Sequence, residues 1–217
     1  MGSCQKDADN VQMKYRRTFV AFFLLFTFLP ALQLDAYFVR YKEQFFRLFH
    51  MHLNRNPDNI MENIFWLEQA LRAPFANPLF AMAHIENEIQ WQKYRYLFMM
   101  HINIHLTEQH LFLGNMWNKR YAFFYNAPWR YQVLSSLEIA ESSFRTALVY
   151  WEEALVWAER ARQPQFRWIN LRRIQFWEDQ AFRIERGTLN YARTINRELT
   201  RLQGIREQFQ AMDENTY

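Results

Sequence analysis

His101, His105 and Glu108 stand at i, i+4 and i+7 in the run HINIHLTE, so on an α-helix they share one face. Two imidazoles and a carboxylate so placed could bind Zn²⁺ or a non-haem metal. A closed site needs further ligands. His110 is close in sequence, whereas His84 and Glu88 would contribute only if the fold brought them near. The sequence never reads H-E-x-x-H, so metalloprotease chemistry is not supported. Residues 37–217 hold no G-x-S-x-G, phosphate-binding loop, dinucleotide fingerprint or cysteine nucleophile. Neighbouring carboxylates such as Glu152-Glu153 and Glu178-Asp179 splay apart on a helix rather than converge. The expectation is a non-enzymatic protein without a cofactor. A metal-binding helical bundle using His101, His105 and Glu108 is the alternative.

Two aromatic and cationic groups suit recognition better than catalysis. Trp129-Arg130-Tyr131 follows Pro128, and Phe166-Arg167-Trp168 follows Pro164. Trp, Tyr and Arg dominate binding hot spots because they offer large flat contact area with polar ends, so these six residues are the expected partner-binding positions. The chain carries 21 Phe, 11 Tyr and 8 Trp, and from Tyr37 onward 19 Arg against 3 Lys, a composition rich in flat cations that stack on rings. Net charge is only +4, and the eleven Arg between Arg160 and Arg206 are interleaved with Glu159, Glu178, Asp179, Glu185 and Glu198. That pattern reads as a solvated helix face and implies no nucleic-acid partner.

The elements that must position these residues begin after residue 36. Lys14, Arg16 and Arg17 precede an apolar run from Phe19 to Leu32, and Ala36 is a small residue suited to cleavage. Residues 1–36 are read as a signal peptide, with Met13 as the expected true start, or as an uncleaved N-terminal anchor. The run is shorter than the roughly 20 apolar residues that span a bilayer. Export to the periplasm is expected in either case, with inner-membrane anchoring in the second. The only cysteine, Cys4, precedes the run, so residues 37–217 form a cysteine-free single domain stabilised by packing alone.

Four Gly in the whole chain and no low-complexity tract argue for an all-α fold. Tyr37–Asn54 carries apolar residues at Phe38, Tyr41, Phe45, Leu48 and Phe49; a Tyr37–Leu53 helix laid on a membrane surface would make a peripheral envelope protein, the second alternative. Asn56-Pro57-Asp58-Asn59 is a turn, and Ile60, Ile64, Leu67 and Leu71 mark a short helix ending before Pro74. Leu79–Asn126 is a long helical block with an expected break near Gly114-Asn115. Trp129–Arg162 is the clearest helix, with Leu137, Ala140, Phe144, Ala147, Trp151, Ala154, Ala158 and Ala161 at three-four spacing. After Pro164 a seam from Ile174 to Met212 repeats every seven residues, predicting one long C-terminal helix that projects or forms a homo- or hetero-oligomer.

Leu113-Gly114-Asn115-Met116-Trp117 resembles the first helix of a tetratricopeptide repeat, and Ala140, Phe144, Ala147 and Leu148 resemble the A-x3-F-x2-A-L pattern of its second. The resemblance covers Leu113–Arg162 and implies helical hairpins in a repeat-like array or bundle. An exported, cysteine-free, aromatic-rich chain of this kind is also similar to the periplasmic collar proteins of spirochaete flagellar motors. That likeness implies a scaffold or adaptor with protein partners in an envelope assembly and no catalytic residue.

Overall fold

The computed structural model describes residues 38–118 and 127–212, with side chains of the second stretch described from Arg130. The expected export segment therefore lies outside the described residues, as does the side chain of Trp129. The chain divides into Met1–Phe38 and Val39–Tyr217. The described residues of the second unit form six α-helices and no strand: α1 Lys42–Arg55, α2 Ile60–Arg72, α3 Glu88–Trp117, α4 Ala127–Ala161, α5 Gln175–Glu185 and α6 Tyr191–Ala211. Single 3₁₀ turns sit at Pro78–Phe80 and Pro164–Phe166. Among these helices none is long and apolar enough to cross a membrane.

The helix starts are written in the local sequence. Gln44 at the third position of α1 reaches back to accept from the Arg40 and Tyr41 N–H groups, at 2.8 and 3.0 Å. Asn59, Asn87 and Asn190 cap α2, α3 and α6 by accepting backbone N–H groups that would otherwise lack partners. At the end of α2 the cap is a side chain from elsewhere: the Lys42 ammonium donates to the Ala70 and Leu71 carbonyls.

Packing is organised around α3, which touches α2, α4 and α5 and buries residues on every side, among them Tyr94, Phe98, Ile102, Ile104 and Leu106. The α1–α2 hairpin lies on one flank. On the other, α4 runs antiparallel to α3 and presents the expected stripe, with Leu137, Ala140, Phe144, Ala147, Trp151, Ala154, Ala158 and Ala161 all buried. The core face of α1 differs from the expected stripe. Phe46 and Phe49 are fully buried, while Phe38 is exposed and Phe45 and Leu48 only half-buried. Phe46 and Phe49 thus join α1 to the chain's own core.

Two other expectations need correction. The helix does not break at Gly114-Asn115, because Gly114 is the point where α3 lies against Phe144 of α4; a Cβ there would stand 2.5 Å from the ring. The C-terminal block is not one helix. Gly187, at φ +68°, closes α5 in a Schellman turn, with Gly187 N–H donating to Ile184 O and Thr188 N–H to Arg183 O, both at 2.9 Å. The chain then restarts at the Asn190 cap as α6, which folds back along α4. The seven-residue seam is turned inward: Ile174, Trp177, Ala181, Ile195, Leu202, Ile205 and Phe209 are buried in the chain's own core. Phe166-Arg167-Trp168 lies in the turns between Pro164 and α5.

Two glycines separate packing from propensity. Gly114→Ala gains about 1 kcal/mol of helix propensity but pushes on a fully buried ring, a cost of about 1–3 kcal/mol, and urea unfolding should show net destabilisation. Gly204, also helical, has open space around it, so Gly204→Ala should stabilise by about 0.5–1 kcal/mol in the same assay.

Candidate functional site

The structure places His101 and His105 one turn apart on the middle of α3, facing α1 and α5. Their Nε2 atoms are 3.2 Å apart. The other nitrogen of each ring is held separately: His101 Nδ1–H donates to Gln180 Oε1 of α5 at 2.7 Å, and His105 Nδ1–H to Glu108 Oε2 at 3.0 Å. Glu108 accepts in turn from the Tyr191 hydroxyl at the start of α6. The third member is His50 of α1, whose ring meets His105 edge-on with centroids 5.7 Å apart. One ligand atom from each of His50, His101 and His105 lies within 4.8 Å of the others. All three line a cavity of about 320 Å³ whose walls include Phe46, Met82 and Trp177.

The sequence-based set His101, His105 and Glu108 is thus rearranged. Glu108 is not beside the shared Nε2 atoms; it orients His105 from behind. His50 takes the third place. His84 is exposed and pairs with Glu86 at 3.6 Å, and His110 faces α4, stacked on Tyr150 with centroids 5.4 Å apart. His50 carries one sequence signal: it continues the Phe46-Phe49-Leu53 face, where a polar residue needs a partner. Nothing in the sequence links it to residues fifty positions away.

Burial favours the neutral form of two of these rings. It lowers the His50 pKa to about 4, with His105 adding to the effect, and takes His101 well below the ordinary value for the same two reasons. Burial alone would raise the Glu108 carboxyl, but the hydrogen bond from His105, its charge and the Tyr191 hydroxyl outweigh it and hold Glu108 below its usual range.

The recognition residues fall into two groups. Arg130 donates to the Met212 carbonyl and ties α4 to the end of α6, while Tyr131 is exposed. In the second group Phe166 is buried, edge-on to Tyr96 with centroids 5.9 Å apart, and so acts as the anchor of the connection. Arg167 and Trp168 project, the guanidinium 5.2 Å from the ring centroid, and Trp168 is 87% exposed. They border a groove of about 850 Å³ with Lys93, Ala161 and Phe182. The groove's rear wall is fixed by Lys93, which donates to the Ile169 carbonyl and to Glu178 Oε1, the latter at 2.6 Å. Two arginines line it: Arg162, paired with Glu185, and exposed Arg167, for which no carboxylate partner is seen among the described residues.

The depressed histidine values fix a sign. Folded pKa values below the unfolded ones mean that the unfolded chain binds more protons, so stability is complete above the ordinary histidine value and falls as pH drops through it. Chelator-treated protein should therefore lose unfolding free energy between about pH 6.5 and 4, measured by urea titration at each pH. His50→Asn should flatten that slope.

Residues 89–212, which run from the start of α3 to the end of α6, match the family described as Domain of unknown function (DUF8513). No curated protein and no solved structure matches the chain. The matched span holds His101, His105, Glu108, Gln180 and Tyr191, whereas His50 precedes it. With more than half of its length in that match, the chain belongs to the DUF8513 family.

Proposed function

We propose that the protein is an exported, non-enzymatic helical scaffold or adaptor that joins protein partners in an envelope-associated assembly, the periplasmic flagellar motor being the setting implied by its resemblance to spirochaete collar proteins. The observation that carries this reading is Trp168, almost fully exposed and stacked by Arg167 at the mouth of a groove on a rigid support. Large apolar side chains left in water mark contact surfaces when they cluster with polar rims, and Phe176 and Phe182 add to the exposed aromatic area on α5. Arg167 beside the ring suits a partner segment that carries a carboxylate next to an apolar anchor. Arg130 and Tyr131 offer a second contact near the start of α4, with Tyr131 84% exposed. A scaffold also accounts for a fold with helix faces on all sides and little loop in which to build a catalytic centre.

The test is co-purification from envelope fractions after mild crosslinking, comparing the wild-type chain with Arg167→Ala/Trp168→Ala. A defined assembly should come down with the wild type and be at least about tenfold depleted with the variant, the loss expected for a hot spot. Thermal unfolding of the two should agree, because exposed side chains contribute within about 0.5 kcal/mol. Equal recovery by both proteins would remove this groove as the docking site.

A further inference from the structure

We propose that His50, His101 and His105 bind one divalent first-row transition metal ion, Zn²⁺ being the best fit, through three imidazole nitrogens with a fourth position open to the adjoining cavity. This site is independent of the groove on which the scaffold reading rests.

Geometry comes first. Zn–N bonds of ~2.0–2.1 Å at tetrahedral angles put neighbouring nitrogens roughly 3.3 Å apart, and His101 Nε2 and His105 Nε2 are already 3.2 Å apart. One nitrogen of His50 lies within 4.8 Å of both, which a small movement of a half-buried side chain would close.

The lone pairs are the second reason. With Gln180 and Glu108 accepting from the two Nδ1–H groups, both Nε2 atoms carry lone pairs directed into the same space. Two acceptors at hydrogen-bond distance repel unless something positive lies between them. A proton would do this as a shared imidazolium, and so would a metal ion. A reversed Gln180 amide would instead make His101 the donor to His105, but would remove the support that fixes its tautomer. What favours the metal is a third imidazole at the same point, for which a shared proton has no use.

The outer groups match as well. Metal-bound histidines commonly donate their second nitrogen to a carboxylate or carbonyl, which fixes the tautomer and raises ligand basicity. His105 has Glu108, itself held by Tyr191, and His101 has Gln180. The three ligands are neutral nitrogen donors with no thiolate, a set suited to Zn²⁺, Co²⁺, Ni²⁺ or Cu²⁺ and poor for Mg²⁺ or Ca²⁺. The cavity supplies room for a water or small anion as fourth ligand. At its rim stands Arg173, with a left-handed backbone at φ 77°, so a cation and a strained residue mark the same opening.

The experiment uses the tag-free chain, stripped with chelator and titrated with Zn²⁺ by calorimetry and with Co²⁺ by visible absorption. One equivalent should bind, with the d–d bands of a four- or five-coordinate ion, and Zn²⁺ should raise the melting temperature. His50→Ala and His105→Ala should each abolish stoichiometric binding. Glu108→Gln should weaken it by about tenfold to a hundredfold while leaving one site. His50 is half-buried, so its variant carries the test if His105→Ala fails to fold. A folded wild-type chain that binds neither ion at micromolar concentration overturns the proposal. So does binding that survives His50→Ala unchanged, or Co²⁺ bands of a six-coordinate ion.

Discussion

On a helix buried along most of its length an unanswered polar side chain is costly, and α3 is such a helix; His110 and the Asn103 side-chain carbonyl oxygen bear that cost, while Lys93, Tyr94, His101 and His105 find partners. Water is excluded from most of its length, so each polar group on it must find a partner on another element or remain costly by about 1–3 kcal/mol. The partners are what hold the surrounding elements in place. Lys93 reaches Glu178 and the Ile169 carbonyl, fixing α5 and the connection before it. The Tyr94 hydroxyl serves Glu43 of α1 and accepts from the Met82 N–H in the loop between α2 and α3. His101 holds Gln180, and His105 acts through Glu108 on Tyr191. Apolar burial supplies the driving force without direction; these bonds supply the register.

Both surfaces of interest are by-products of that arrangement. The groove under Trp168 exists because Lys93, Glu178 and buried Phe166 stop the connection after α4 from collapsing onto α3. The histidine cluster exists because the face of α3 opposite α4 meets α1 and α5 at a polar position. One is aromatic, with arginines at its edge; the other is smaller and nitrogen-rich. The first fits a macromolecular contact, the second a single ion. They share α3 and α5, so a ligand at either would meet the same two helices.

The helices themselves were legible in the sequence wherever period and punctuation agreed. The three-four stripe from Leu137 to Ala161 is buried throughout, and the Asn56–Asn59 turn stands where Pro57 and the Asn cap require. Glycine was harder to read, since one residue type serves opposite ends. Gly114 allows a close helix crossing and extends α3, whereas Gly187 takes a left-handed conformation and ends α5. Local sequence does not separate the two cases; the neighbour across the crossing does. For the same reason a seven-residue seam looked like a free surface until the chain turned at Gly187 and laid it on α4. In the cluster, the i and i+4 pair was visible because helix geometry alone joins it. His50, Gln180 and Tyr191 were not, because tertiary contact alone brings them there.

The most direct measurement is a double-mutant cycle on Lys93 and Glu178, using Lys93→Met, Glu178→Gln and the two combined, with unfolding free energies from urea titration. If polar groups on α3 set the register of its neighbours, each single change costs about 2–4 kcal/mol by leaving a buried partner unanswered, and the double costs well under the sum, with coupling of at least about 1.5 kcal/mol. Additive effects within about 0.5 kcal/mol would contradict this. The helices would then be placed by apolar packing alone, and the buried polar bonds would be its consequence rather than its guide.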